Sequence, residues 1–550
     1  MEDTQFTYVA QYLRHFVDAT RILRYPFLAL FRLLDCADHA MREVFDWIRM
    51  WWILLPMEGP FDRIPLIWNL VAHFSIVSAG PQLDYNVGVF NAVDGLFFQL
   101  RRHKVFKAYL GLTPFVTVST AEGVAKVLSD PHNIAKSMLY DMLVPWMGGG
   151  LLTGNGPSYR RRRKLITPAF HFRVLENLTP IMEKHGDVFC SKLKGVVDVM
   201  QFAQVLGLDI ITEAAMGIEL HAQCKPDEPY VRAVYRAAQA HMHRVTRPWL
   251  WSDLIYYLTP LGRQFKAAVQ EMHAFVTKVI DDRLSIIKAD PSKATQSFLD
   301  MLIMVHLKQP DELTLIDLRD EVHTFMFAGH DTTASATAFA LYMMGLHPDV
   351  QERIHQELDL VFADATEPVT VAKLKRLRYL DATIKESQRL YPSAPVIARR
   401  VDKDMEIDGY TVPRGATLNL FSYGLHRDPK HFPEPLEFRP ERFLRADAAA
   451  LAAPTKIPPF AFFPFSGGMR NCLGQKFAII EMKTVLAQVM RKFRLKSLQK
   501  RDELELAIEV IVRPRNGLQV RFERRKKDTT NYGNDNDNNN NTNDESNNRI

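Results

Sequence analysis

A chain of 550 residues, 47% hydrophobic and 24% charged, has the composition of a folded globular protein and the length to bury a large core. Its net charge of +6 is small for that length and unlike the concentrated basic surface of a nucleic-acid binder, so no nucleic-acid partner is expected. The four cysteines, Cys36, Cys190, Cys224 and Cys472, form neither a CxxC pair nor a zinc ladder, which argues against a disulfide framework or structural zinc and for a reducing compartment.

Residues 1–56 read as an N-terminal arm. On a helical wheel Val9, Tyr12, Leu13, Phe16 and Leu23 share one side, and Arg14, Asp18 and Arg21 the other. Such a helix suits a membrane interface and also suits packing on a soluble body. The aromatics of "MWWILLPM" at 50–57 tip the expectation toward membrane contact. Residues 64–83 carry no charge and are long enough to span a bilayer, but Pro65, Asn69, His73, Ser75, Ser78, Gly80 and Pro81 suit hydrocarbon poorly. A buried or surface-dipping segment is expected there. No cleavable signal pattern is seen, and Glu2, Asp3 and Asp18 count against a transit peptide.

The Pro/Gly-rich "PMEGPFDRIP" at 56–65 reads as a hinge, so the main body is expected from 57 to 525. From about 120 to 360 the apolar spacing is helical, as in "VRAVYRAAQAHMHRV" and "EVHTFMFAGHDTTASATAFALYMM". Short alternating pieces in "YLGLTPFVTVS" and "MEIDGYTVPRGATLNLF" predict a small, divided sheet content. The expected fold class is therefore mainly α with small β-sheets (α+β). An alanine-rich connection of uncertain shape spans 444–458, and residues 526–550 read as a disordered asparagine-rich tail. No repeat and no GxGxxG or Walker loop is present.

One stretch carries chemistry: "FPFSGGMRNCLGQ", beginning at Phe463. Out of context a lone cysteine is a small buried hydrophobe. Here Phe465, Gly468, Arg470, Cys472 and Gly474 form FxxGxRxCxG immediately before helical sequence. Glycines let backbone N–H groups approach a sulfur and stabilise its charge, Phe465 would shield it, Arg470 offers a rigid donor fork, and the helix presents its positive end. These are the needs of a thiolate bound to haem iron. The stretch resembles the cysteine loop of the cytochrome P-450 (haem-thiolate) monooxygenases. Three further motifs follow the same resemblance.

The first is "AGHDTT", Ala328 to Thr333, where a glycine and a charge interrupt a long apolar helix. The resemblance implies that this helix covers the distal face of the haem, with the helix after the Cys loop on the other side. Ala328 and Gly329 then leave room for dioxygen, and Asp331 and Thr332 relay protons to it. The bland alternative is a Thr332 hydroxyl bonded back to a helix carbonyl. In "KESQR", Glu386 and Arg389 lie three apart, and Arg442 of "FRPERF" completes a structural charge network in the resembling family. "GNGPSYRRRRKLITPAF" resembles that family's WxxxR helix, with Tyr159 in place of tryptophan and Arg163 implied as a propionate partner. Arg399 in "PVIAR" has the same implied role. The rest of the 160–164 basic run is expected on the surface, where the resemblance suggests docking of an acidic electron donor.

Within the superfamily the longest motifs look most like the fatty-acid omega-hydroxylases. Members of that group often have Glu where this chain has Ala328, and that Glu can esterify the haem. No such bond can form here, so strict terminal-carbon selectivity is not implied. The resemblance implies heme b (iron), electrons from NADPH through a separate flavoprotein reductase, and a lipophilic substrate, plausibly a fatty acid. It also implies a membrane-associated enzyme on the endoplasmic reticulum facing the cytosol. The competing readings are a haem-thiolate isomerase of lipid peroxides and a haem- or lipid-binding sensor without turnover.

Overall fold

The computed structural model describes residues 84–525 apart from 111–112, 226, 296, 365–366, 445–456 and 509. The N-terminal arm, the uncharged stretch at 64–83, most of the alanine-rich connection and the asparagine tail lie outside the described residues. The longer helices are α1 (Tyr85–Leu100), α2 (Ala121–Ser129), α3 (Gly156–Ile166), α4 (Phe172–Lys192), α5 (Val199–Met216) and α6 (Pro229–Val245). They continue as α7 (Pro260–Ala289), α8 (Phe298–Lys308), α9 (Leu315–Leu346), α10 (Pro348–Val361), α11 (Arg378–Leu390) and α12 (Gln475–Lys492).

The 32-residue α9 organises the body. It starts at a capping box in which the Thr314 hydroxyl accepts from the Asp317 N–H while the Asp317 carboxylate accepts from the Thr314 N–H, satisfying donors that a helix start leaves orphaned. From Leu318 onward nearly every side chain is buried, as suits a central helix, although Asp320, Glu321, His323, His330 and Asp331 are among them. Helix α5 lies close along it: a Cβ on Gly207 would fall 2.7 Å from the His330 carbonyl oxygen, so glycine permits the approach. Among the described residues α5 is the one helix long and apolar enough to cross a membrane, and 78% of it is buried in the body. Its hydrophobicity serves the core.

Among the described residues the strands are short and divided among four sheets, in keeping with the small, divided sheet content that the alternation predicts. Strands β1 (Val105–Leu110), β2 (Thr113–Val118), β3 (Gly195–Asp198), β4 (Ile397–Arg400), β5 (Met405–Ile407), β6 (Tyr410–Val412) and β7 (Thr417–Leu420) are followed by β8 (Phe493–Ser497), β9 (Leu506–Ile508), β10 (Val512–Pro514) and β11 (Gln519–Arg524). The largest sheet runs β1-β2-β7-β4, with β2 and β7 parallel and the other pairs antiparallel. Asp408 and Gly409, at φ 51° and 89°, make the tight turn between β5 and β6. The C-terminal strands are the part sequence reading does not anticipate. Strand β11 pairs with both β8 and the distant β3, and pairing between remote segments leaves no local signature.

Candidate active site

The loop before α12 is held by backbone geometry. Ser466 and Gly468 sit at φ 59° and 64°. A Cβ on Gly468 would overlap the Leu128 carbonyl at the end of α2, so glycine is required there. A Cβ on Gly467 would come within 2.5 Å of the Phe460 ring. Gly474 needs no left-handed backbone: its φ is −81° and a Cβ would meet nothing nearer than the Phe170 ring at 3.9 Å. What Gly474 contributes is its N–H, which hydrogen-bonds the Cys472 sulfur. The Cys472 N–H donates to the Phe465 carbonyl at 2.9 Å, closing the loop, and the half-buried Phe465 ring packs on the core.

The Cys472 side chain has an open face, yet protein crowds the sulfur from its other sides. Lost hydration pushes its thiol above the usual range, while the Gly474 N–H and then the Arg163 charge pull it down. Those two, with the start of α12 at Gln475, are the local features that favour a thiolate. Arg163 lies beside the Cys loop. Its guanidinium donates to the carbonyl and side-chain oxygen of Asn471, at 2.8 and 2.5 Å, and so braces the Cys loop. Arg162 corrects the expectation of a wholly superficial basic run. It is 7% exposed and reaches inward to Asp317, to Glu321 at 3.5 Å and to the Gly149 carbonyl. Burial pushes the Glu321 carboxyl up to about 7, with the Leu151 N–H and Arg162 opposing.

Beside the loop lie three buried cations. Lys136, Arg399 and Arg470 are 8%, 2% and 7% exposed. Lys136 and Arg399 are joined by a backbone bridge, and the Lys136 ammonium stands 4.3 Å from the centre of the Tyr140 ring. Arg470 stacks 3.5 Å from the centre of the Tyr159 ring and donates to the carbonyls of Ile134, Leu151 and Gly154 and to Asn155 Oδ1. The Tyr159 hydroxyl donates to the Met469 carbonyl at 2.8 Å, so this tyrosine also braces the Cys loop. Arg399 donates to the Ala398 carbonyl at 3.1 Å. Burial, then Arg399 and Arg470, hold the Lys136 ammonium well below its usual range, and burial brings Arg470 down to about 10. Among the described residues no carboxylate pairs with any of the three. Buried charges are costly without a partner of opposite sign, so this cradle fits a ligand with more than one acid group. The two propionates of haem b meet that requirement.

Between Asp320 and Gly345, α9 is buried except at Phe325, Ala328, Gly329 and Thr332, whose spacing puts them on one face. Ala328 and Gly329 keep that face low, and Gly329 is closed from behind by Ile211 of α5. The two expected proton-relay groups find separate partners. The Thr332 hydroxyl donates to the Ala328 carbonyl at 2.7 Å, the helix-bonded alternative, and Asp331 is buried where it accepts from Arg513 Nη2 at 2.6 and 2.5 Å and from Gln204 at 3.3 Å. Arg513, on β10, and Lys136 escape sequence reading because neither lies in a recognisable motif.

Glu386, Arg389 and Arg442 come together as a unit. The Arg389 Nε and Nη2 each donate to Glu386 at 2.8 Å, and Arg442 Nε lies 3.3 Å from the same carboxylate. The remaining Arg389 donors reach the carbonyls of His426, Pro435 and Glu437.

The chain was compared with known proteins. The family model for cytochrome P450 matches residues 79–522. Cytochrome P450 4V2 of Mus musculus is 42% identical over 447 residues, covering 78% of this chain and 84% of that protein. Its counterpart in Homo sapiens is 41% identical over 447 residues with the same coverage. Cytochrome P450 4c3 of Drosophila melanogaster is 37% identical over 443 residues, 76% of this chain and 82% of the relative. With so much of the chain matched at these identities, it belongs to the cytochrome P450 family of haem monooxygenases, most like the fatty-acid omega-hydroxylase group.

Proposed function

We propose that this monooxygenase hydroxylates a fatty acid or a similar lipid, with Cys472 as the axial ligand of its haem iron and electrons drawn from NADPH through a separate flavoprotein reductase. The observation that carries the residue assignment is the Lys136–Arg399–Arg470 cradle beside the Cys472 loop, three buried cations with no carboxylate partner among the described residues. When bound, haem supplies the iron chemistry that activates dioxygen and inserts one of its atoms into a C–H bond. The chain's own groups prepare that chemistry. The Gly474 N–H and Arg163 favour the anionic Cys472 sulfur, and the cationic cradle receives the propionates. The low face at Ala328 and Gly329 leaves space above. Thr332 moves a proton only after its hydroxyl turns away from the Ala328 carbonyl, and Asp331 joins it only when its pair with Arg513 opens. The proposed main body, 57–525, includes the matched region, with arm and tail on either side.

Membrane association is part of the proposal. Trp249, Leu254, Ile255 and Leu258 crowd exposed apolar side chains into eleven residues, 248–258, ending in the one-and-a-half-turn helix Asp253–Leu258. A bilayer interface of the endoplasmic reticulum, facing the cytosol, would cover them. Arg160, Arg161 and Lys164 remain on the surface near the Cys loop, where an acidic reductase can dock.

One spectrum tests the ligand. Carbon monoxide added to the reduced protein should give the strongly red-shifted Soret band of a thiolate-ligated haem, and Cys472→Ser should abolish it; a band that survives overturns the assignment. Product analysis with fatty acids, NADPH and reductase tests the reaction. Turnover of lipid peroxides without reductase would identify an isomerase instead, and ligand binding without turnover a sensor.

A further inference from the structure

Three consecutive glycines, Gly148 to Gly150, let the chain before α3 lie flush on the early turns of α9. A Cβ on Gly148, whose φ is 54°, would overlap the Asp320 carboxylate, and one on Gly150 would overlap the Thr324 hydroxyl and fall 2.9 Å from the Asp320 carbonyl oxygen. Two carboxylates of α9 then grip the loop: Asp320 accepts from the Gly149 N–H at 2.9 Å and Glu321 from the Leu151 N–H at 3.1 Å. Arg162 of α3 closes the grip, donating to the Gly149 carbonyl at 2.5 Å and standing 3.5 Å from Glu321. Both carboxylates are buried, where such bonds are electrostatically stronger than in water.

The same loop continues onto the cationic cradle. Arg470 Nη1 donates to the Leu151 carbonyl at 3.2 Å, and Arg470 Nη2 donates to the Gly154 carbonyl and Asn155 Oδ1 at 2.5 and 2.8 Å. Asn155 Oδ1 also accepts from the Lys136 N–H at 2.9 Å. Leu151 is thus held by its N–H at Glu321 and by its C=O at Arg470, a single residue between a buried carboxylate and a buried guanidinium. A guanidinium is planar with its donors fixed as a fork, so the acceptors on one edge set the direction in which the rest can point.

We infer that Glu321 is a positioning residue for cofactor binding, fixing through Leu151 the orientation in which Arg470 meets a haem propionate. This role rests on the cradle being the propionate site. Removing the Glu321 acceptor frees the Leu151 N–H and with it the carbonyl that Arg470 Nη1 uses, whereas Asp320 and Arg162 still hold Gly149. The near side of the loop therefore stays on α9 while its cradle side loosens.

Two measurements on the haem-loaded full chain test it, both above the Glu321 carboxyl's value of about 7: haem transfer to an acceptor globin, and the reduction potential of the haem. Glu321→Leu should speed transfer roughly tenfold, the loss of one charge-assisted hydrogen bond. It should also lower the potential, as Arg470→Gln should, because a guanidinium turned away no longer offsets a propionate charge. Simple loss of a buried anion would instead raise the potential. Glu321→Gln, which keeps an acceptor for the Leu151 N–H, should keep transfer slow, and Glu321→Met is the second variant should leucine disturb the fold. In an Arg470→Gln background Glu321→Leu should add nothing to the transfer rate. A raised potential, additive rates, or unchanged transfer in Glu321→Leu beside faster transfer in Arg470→Gln would overturn the positioning role. Unchanged transfer in Arg470→Gln itself would overturn the cradle as the propionate site.

Discussion

Around Arg389 every guanidinium N–H finds an acceptor, two on Glu386 and three on backbone carbonyls, although both side chains are completely buried. Around Lys136 and Arg399 the burial is nearly as deep, and no carboxylate among the described residues answers the charge. The first cluster is satisfied by folding alone. The second is held together by surrounding backbone and by the aromatic faces of Tyr140 and Tyr159, and waits on an anionic ligand to offset its repulsion. Buried charge thus does two jobs here: one cluster locks the chain to itself, and the other commits part of the folding free energy to cofactor binding.

Breaking the self-contained cluster should have the largest effect. Arg389→Met takes from the buried Glu386 carboxylate its two-bond partner, leaving it Arg442 and the Arg439 N–H, and removing one partner of such a pair costs about 3–5 kcal/mol. Urea denaturation should show that loss with or without haem, and an unchanged midpoint would mean the pair is not part of the stabilising network. A pH series probes an intermediate case, the buried Glu321, whose carboxyl is raised from 4.5 to about 7. Because its folded value exceeds its unfolded value, its proton-linked stability is fully present below about pH 4.5 and is lost as pH rises through 7. The span of that loss is at most about 3 kcal/mol. Glu321→Gln, which keeps an acceptor for the Leu151 N–H, should flatten that part of the profile; an identical slope in the variant would exclude Glu321 as its source.

The smallest change sharpens the contrast most. Lys136→Met removes a repelling buried cation, so the haem-free protein should become more stable by about 1–2 kcal/mol, while haem should transfer to an acceptor globin faster. The same substitution logic applied at Arg389 lowers stability in both states. If Lys136→Met destabilised the haem-free protein and left haem retention unchanged, the cradle would be another structural lock.

The local parts of the fold and site were legible because their signals are local. The FxxGxRxCxG loop, the glycine and acid inside α9 and the three-residue spacing of Glu386 and Arg389 each state a requirement within a few residues. The family resemblance built on them agrees with the match over residues 79–522. Less legible was how each side chain is spent. Arg163 and Tyr159 brace the Cys loop, Arg162 turns inward to Asp317 and Glu321, and Gly474 supplies an N–H without needing an unusual φ.

By itself, the sequence determined the mainly helical class with small divided sheets, the lone cysteine in its glycine loop and the open helical face at Ala328 and Gly329. Helical periodicity, turn residues and motif spacing are properties of neighbours along the chain. Only the tertiary structure decided that Lys136 joins Arg399 and Arg470, that Arg513 holds Asp331, and that β3 pairs with β11. Those contacts join segments remote in sequence, and burial and charge have no partner until the chain closes on itself.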